Sequence, residues 1–217
     1  MKALSLLLVA GCALTSHTPA REMRTFTPER ADDVTAHAPR DARATLRLGR
    51  ITASANLRYA IVHRVSPYEV EPYETLRWTE LPDAYVRRAL SHALFDERPI
   101  AEAVSSGVPA LDVELLAFEE LASPSRGRVV LRYDLHDDAT VLAHGTIAIE
   151  RAASAPQIEG VVAALHDALL AAASEVADRV EQALRERARP APDDRYAPNP
   201  ARSNAAASLG TRAPSLQ

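Results

Sequence analysis

The sequence is poor in several residue types, and each shortage excludes a class of structure. Its 217 residues contain one cysteine, so no disulfide can form within a chain. The seven glycines do not cluster, and no phosphate-binding loop, dinucleotide-binding fingerprint or nucleophile elbow is present. Lysine occurs once, and arginine supplies the rest of the positive charge. The formal net charge of -4 disfavours nucleic acid as a partner. Beyond the N-terminus, no apolar run approaches the roughly 18 uncharged residues of a membrane helix.

The single cysteine, Cys12, follows a short apolar run at residues 3–10, behind the basic Lys2. A basic start, a short apolar core and small residues before the cut are typical of a secretory signal. Residues 9–12, Val-Ala-Gly-Cys, resemble the bacterial lipobox, in which the thiol is acylated and the chain is cut before it. We therefore expect residues 1–11 to be a signal peptide and Cys12 to carry lipid outside the cytoplasm. The alternative is that Cys12 is an apolar residue of an ordinary signal peptide.

Composition divides the rest of the chain into three parts. Residues 12–43 are rich in Thr, Ala, Pro, Arg and Asp, which predicts a tether, with a short strand near residues 24–27. Residues 44–187 have the patterning of one globular domain. Residues 188–217 contain almost no large apolar side chains. We expect this tail to be disordered, because it cannot bury enough surface to offset its ordering entropy.

Patterning in the domain predicts a mixed α/β fold, with a sheet of five to six strands and two main helices, the longer one C-terminal. The strand signals lie at residues 46–48, 59–63, 68–73, 111–115, 129–135 and 140–150. The third strand should lie at a sheet edge, because Pro72 cannot donate to a ladder. Alternation in the fifth predicts one buried face and one wet face.

Two helices are predicted, at residues 82–96 and 158–187. Pro82 suits the first turn of the first helix. In the second, apolar residues recur every three or four positions, which favours a helix that covers the core over an exposed coiled-coil arm. Ser154 and Gln157 fit a capping box at its start. Its many alanines allow close approach to a sheet or a partner.

One stretch of the domain has a residue pattern more specific than ordinary core packing requires. Its landmarks are, in chain order, Tyr59, Arg64, Tyr68, Val70, Tyr73, Arg77, Trp78 and Pro82. This order resembles the ABC-type transport auxiliary lipoproteins, the family that includes the lipoprotein of paraquat-inducible systems. There, a strand ending in arginine precedes an extended aromatic segment, an Arg/Lys-Trp pair and an amphipathic helix. The resemblance covers roughly residues 24–187, but paired aromatics soon after the cysteine and a proline-rich turn at residues 52–56 are missing.

The resemblance implies a non-enzymatic lipoprotein that works beside a mammalian-cell-entry domain protein, a permease and an ATPase. Such systems move lipids or other hydrophobic molecules between the inner and outer membranes, with the lipoprotein on the outer-membrane side. Ala13 follows the cysteine where an aspartate would suggest inner-membrane retention, so we expect an outer-membrane anchor facing the periplasm. A ring-like homo-oligomer also fits the family, and no cofactor is expected.

The segment 59–78 is the predicted contact surface for the transport partner. Its candidate residues are Tyr59, Arg64, Tyr68, Val70, Tyr73, Arg77 and Trp78. An exposed strand edge offers unpaired backbone groups that a partner or a second copy can complete. Trp78 is either a core aromatic or a contact residue. Arg64 and Arg77 either pair with nearby glutamates at positions 69, 71 and 74 or face an acidic partner or lipid headgroup.

Other potential chemistry is sparse. Asp134, His136, Asp137 and Asp138 form one dense group of potential ligands, and Asp134 and His136 would share a strand face. Such residues are common in solvated turns, so no metal is expected. A small hydrolase using this group, and a structural lipoprotein that tethers envelope layers, remain the alternative functions. The pair at positions 119 and 120, both glutamate, is predicted to end a strand in water.

Overall fold

The computed structural model describes residues 21–31, 41–138 and 140–189. The predicted signal peptide, Cys12 and all but the first two residues of the predicted tail lie outside this part of the chain. A single π-helical turn, His92–Asp96, follows the first helix. The elements are β1 (Arg24–Phe26), β2 (Ala44–Ala53), β3 (Ala60–Ser66), β4 (Glu69–Trp78), α1 (Pro82–Ser91), β5 (Ile100–Glu102), β6 (Ala110–Ala122), β7 (Ser125–His136), β8 (Val141–Ala152) and α2 (Ile158–Ala188).

The eight strands of the described residues form one mixed sheet with β6 at its centre. One edge of β6 pairs antiparallel with β7 along its length, and β7 pairs antiparallel with β8. The other edge of β6 pairs in parallel with β2 over residues 110–115 and with β3 over residues 119–121. Beside β2 lies β5, while β4 and then β1 lie beside β3. The predicted α/β class, with two helices and the longer one C-terminal, is confirmed.

The six long strands match the predicted segments, and two short strands extend the sheet. β1 precedes the predicted start of the domain at Ala44, so the sheet recruits part of the segment expected to be a tether. β5 had no counterpart among the predicted strands. Three residues are too few to show alternation, and both short strands are held by pairing with strands remote in the sequence.

Both helices cover the same face of the sheet, where α2 packs on β7 and β8 and α1 packs on β2 and β6. Along β7, Val129, Leu131 and Leu135 are fully buried on this face, while Arg132 and Asp134 are exposed on the opposite face. One buried face and one wet face are what the alternation predicts, since successive strand residues point to opposite sides.

Helix α2 lies close to the sheet because small residues face it. A Cβ on Gly127 of β7 would lie 2.6 Å from the backbone nitrogen of Leu165, so the approach requires glycine. By length and mean hydropathy α2 could cross a membrane, but 67% of its most apolar window is buried within the domain. The helix therefore covers the core, and the coiled-coil alternative is wrong.

The predicted capping box at the start of α2 is also wrong. Gln157 occupies the N-cap position with extended backbone, and no side chain caps the helix. The preceding segment instead folds back over the first turn, where a Cβ on Gly160 would lie 2.4 Å from the carbonyl oxygen of Ala155. Pro156 thus lies before the helix, outside its first turn. The first predicted helix, residues 82–96, is α1 followed by the π-helical turn.

Candidate functional site

The β3–β4 hairpin carries most of the predicted contact residues and lies at a sheet edge. β4 pairs with β3, and β1 covers only Leu76, Arg77 and Trp78 on its other side. Among the described residues, positions 69–75 of β4 therefore have a strand neighbour on one side alone. This agrees with the edge position predicted from Pro72, which lies opposite Val62.

A wide bulge in β4 explains the position of Arg77. The pairing with β3 passes from Val62↔Pro72 to Ala60↔Arg77, so residues 73–76 leave the regular ladder. The guanidinium of Arg77 donates to the backbone carbonyls of Tyr73 at 2.6 Å, Leu76 at 2.9 Å and Glu74 at 2.9 Å. Carbonyls left out of a ladder need donors. Arg77 thus stabilises the bulge, and its partners are backbone oxygens of the segment itself.

Arg64 is held by a buried carboxylate on the central strand. Its Nε and Nη2 donate to the two carboxylate oxygens of Glu119 at 2.8 and 3.1 Å, a bidentate geometry. Arg128 of β7 also approaches Glu119, at 3.4 Å. The Glu119 side chain is 2% exposed, so this pair is largely shielded from water. None of the three glutamates considered from the sequence is the partner of Arg64.

Glu120, the next residue of β6, points to the opposite face and fastens the hairpin there. The hydroxyl of Tyr73 donates to its Oε2 at 2.5 Å, and the hydroxyl of Ser125 donates to its Oε1 at 2.8 Å. The Tyr73 ring stacks on His63, with centroids 4.4 Å apart. Burial, reinforced by the hydrogen bond to the Glu120 carboxylate, raises the pKa of Tyr73 well above its ordinary value. The hydroxyl therefore stays protonated as a donor.

The prediction that Glu119 and Glu120 end a strand in water is wrong. Both side chains are buried, at 2% and 6% exposure, and β6 continues to Ala122. The sequence offered no signal for this, because their partners Arg64 and Tyr73 lie 55 and 47 residues earlier in the chain. Together these contacts fix the hairpin rigidly against β6 from both faces.

Trp78 lies in the core. It is 2% exposed and packs against Phe118, at 5.0 Å between ring centroids, and against Tyr85, at 6.1 Å with an edge-on geometry. Of its two interpretations, the structure supports the core aromatic, and a contact role at the surface is wrong for this residue. It lies where β4, α1 and β6 meet, so it holds the hairpin to the helix that follows.

The remaining candidate contact residues differ in how much of each side chain is exposed to solvent. Tyr68 is 99% exposed and Tyr59 is 52% exposed, and they lie near opposite ends of the hairpin. Val70 is half-buried and pairs with Arg64 across the hairpin. The structure thus leaves the two exposed tyrosines and the open edge of β4 as the accessible parts of the segment.

The predicted group of potential ligands is divided among separate contacts. His136 Nε2 lies 3.6 Å from Asp112 Oδ2, while Asp137 pairs with Arg187 of α2 at 3.2 Å. Within the part of the chain that the structure describes, no three His, Cys, Asp or Glu side chains form a group suited to a metal ion. Geometry therefore gives no support to a hydrolase built on this group.

Known proteins similar to this chain agree with its fold. A crystal structure of a Xanthomonas campestris protein superposes with a TM-score of 0.62 at 20% identity, covering 70% of this chain and 93% of that one. A second crystal structure, of an uncharacterized protein, gives a TM-score of 0.55 at 12% identity, covering 64% and 99%. At these identities the likeness shows the fold alone. No curated protein matches the sequence significantly.

The family assignment comes from the sequence of the domain. The family model of the ABC-type transport auxiliary lipoprotein component matches residues 26–177, which runs from β1 through most of α2. The match contains the whole β3–β4 hairpin, its two glutamate anchors and Trp78. The protein described here belongs to the family of ABC-type transport auxiliary lipoprotein components.

Proposed function

We propose that this protein is anchored by lipid on Cys12 to the periplasmic face of the outer membrane. There it serves as a binding and assembly subunit of a transport system for lipids or other hydrophobic molecules. Its partner is a mammalian-cell-entry domain protein that works with a permease and an ATPase. Family membership over residues 26–177 is the observation that carries the proposal. The small residues before the only thiol support the anchor.

The hairpin supports a binding role for the domain. Its open edge on β4 offers backbone donors and acceptors over residues 69–71, before Pro72 and the bulge, while Glu119 and Glu120 hold the hairpin in place. A rigid edge loses little entropy when a strand is added to it. The partner, or a second copy of this chain in a ring, would complete the edge.

The anchor is tested by Cys12→Ser in a bacterial host fed a fatty-acid analogue. We expect the unchanged protein to take up the label and to fractionate with the outer membrane. The variant should lose the label and accumulate as an unprocessed or soluble form, since no other thiol is available. Ser16→Ala, just beyond the lipobox, is the control and should label normally. Continued labelling and membrane partition of Cys12→Ser would show that the lipoprotein assignment is wrong.

The transport role is tested by co-purification. A tagged full-length protein should retain a mammalian-cell-entry domain protein from the same genome, and genes for that protein, a permease and an ATPase should lie nearby. Retention of no such protein, in a preparation that is fully lipidated, would contradict the partnership while leaving the anchor intact.

A further inference from the structure

The turn between β3 and β4 forms an uncharged tip that projects from the domain. Residues 65–68 read Val-Ser-Pro-Tyr. Val65 is 43% exposed and Tyr68 is 99% exposed, so the aromatic ring lies entirely outside the fold. Such a ring gains nothing from packing within the domain, which singles it out from the other tyrosines of the hairpin.

The tip is held in one shape. Arg64, fixed by its bidentate pair with Glu119, uses its remaining Nη1 to donate to the Pro67 carbonyl at 3.2 Å. The backbone N–H of Tyr68 donates to Ser66 Oγ at 3.4 Å. A buried carboxylate on the central strand therefore supports the turn through one arginine. The exposed tyrosine is presented by a preorganised hairpin.

The N-terminal segment approaches the domain from the side of this tip. β1 runs parallel to β4, with Arg24 beside Leu76, so residues before Arg24 lie alongside earlier residues of β4. Arg21 forms an ion pair with Glu74, which confirms this direction. Residues 21–23, the first that the structure describes, thus enter the domain from the side of the tip.

Distances allow the tip and the lipid anchor to reach the same membrane. From Glu74 to Tyr68 an extended strand covers about 20 Å. Nine peptide steps separate Cys12 from Arg21, and a chain of that length spans at most about 30 Å. A domain tethered by Cys12 therefore has its tip within reach of the bilayer surface.

We propose that the tip, residues 65–68, inserts into the interfacial layer of the membrane that holds the Cys12 lipid. Tyrosine is suited to this layer, because its ring is apolar and its hydroxyl stays hydrated. Glu69 and Glu71 follow the tip on β4 and are exposed, which favours zwitterionic over anionic headgroups. The contact orients the domain on its anchor. It rests on the proposed lipidation of Cys12.

A bilayer fits this tip better than a protein surface does. A stable protein interface needs about 800 Å² from each partner. Four residues at a convex turn offer much less than that. The interfacial layer of a membrane, by contrast, accepts a small protrusion without a matching cavity. The tip also lies on the anchor's side of the domain, where the membrane is.

The experiment uses the full-length lipidated protein in vesicles of phosphatidylcholine and phosphatidylethanolamine. Because Cys12 is the only cysteine and is acylated, an introduced thiol can be labelled alone with an environment-sensitive fluorophore. The test variants are Tyr68→Cys and Val65→Cys. The control is Val104→Cys, which is 97% exposed. Val104 follows β5 and lies near the start of β6, since the backbone N–H of Ala103 donates to the carbonyl of Leu46. The tip lies at the other end of β6, beyond the residues that pair with Arg64.

Labels at positions 65 and 68 should shift to shorter emission wavelengths and lose intensity with quencher-bearing lipids, while the label at 104 should not. Equal responses at 68 and 104 would overturn the proposal. So would a response at 68 that appears only when a transport partner protein is added, which would mean a protein contact. Protein that does not float with vesicles would instead refute the Cys12 anchor, and the membrane contact of the tip with it.

Discussion

At the scale of single residues, the carboxylate of Glu119 helps to fix the position of the hairpin. It is buried on the sheet face opposite the helices, as Val62 and Val130 are, and accepts hydrogen bonds from Arg64 and Arg128. Burying a charge is costly unless it is paired and hydrogen-bonded. Here the partly exposed Arg64 and Arg128 offset the cost of burying the Glu119 charge, and Arg64 also supports the tip. Stability and presentation of the tip therefore depend on the same contact.

We expect Glu119→Gln to lower the free energy of unfolding by about 1–3 kcal/mol, because it leaves two arginines without their shared carboxylate. Urea denaturation measures the change. Glu114→Gln is the matched control on the same strand, where an exposed carboxylate pairs with Arg132 at 3.0 Å. Glu114→Gln should lower the free energy of unfolding by less than about 1 kcal/mol. Equal losses for the two would mean that burial of Glu119 has no energetic consequence.

The long helix α2 provides the other half of the core. Its buried positions are mostly alanine, valine and leucine, and they lie over β7 and β8. Gly127 and the alanines bring the backbones together, so little room remains for rearrangement when a large side chain is removed. Arg98, just before β5, fastens α2 from the side through Asp178 at 2.7 Å and Ser174 at 2.9 Å.

Leu165→Ala should lower the free energy of unfolding by about 2–5 kcal/mol, since it removes a fully buried side chain from a tightly packed site. Thermal or urea unfolding measures it. Leu170→Ala is the control on the same helix, because Leu170 is 43% exposed. For Leu170→Ala, the free energy of unfolding should change by less than about 1 kcal/mol. A neutral Leu165→Ala would show that α2 does not cover the core in solution.

Several strands of the described sheet have a strand neighbour on one side alone, and two long open stretches lie on β8 and β4. β8 has a strand neighbour on one side along residues 141–152, and β4 has one along residues 69–75. Open edges are sites for strand addition. The proposed partner surface lies on β4, next to the tip and to the entry of the N-terminal segment. A variant on each of these two strands is therefore needed to test which edge binds the proposed partner.

Val70→Pro removes one backbone donor at the β4 edge without adding charge. If the proposed mammalian-cell-entry domain partner binds this edge, the variant should reduce its capture about fivefold or more. Val141→Pro, at the exposed start of β8, is the matched control and should leave capture unchanged. Oligomer mass is measured on the same samples, and unfolding curves verify that each variant is folded. Loss of capture with Val141→Pro alone would place the contact on β8.

Local patterns in the sequence were sufficient to predict the strands and helices that bury one face. The alternation along β7 and the three- or four-residue recurrence along α2 each require burial of one side, whatever the element packs against. Pro72 likewise indicated the edge position of β4, because a missing N–H has the same consequence in any sheet. The small residues before Cys12 predict a lipid anchor, and this stays a prediction because Cys12 lies outside the described residues.

Contacts between remote segments could not be inferred in this way. A short strand near residues 24–27 was predicted, but not its pairing with β4, and the three-residue strand β5 beside β2 was not predicted at all. The register of β3 on β6 places Val62 beside Glu119 and Arg64 two residues further along, so the Arg64 guanidinium reaches the buried carboxylate. Trp78 became a core residue because α1 and β6 close over it. A periodic pattern reports which side of an element is apolar, whereas the register between strands decides which side chains meet.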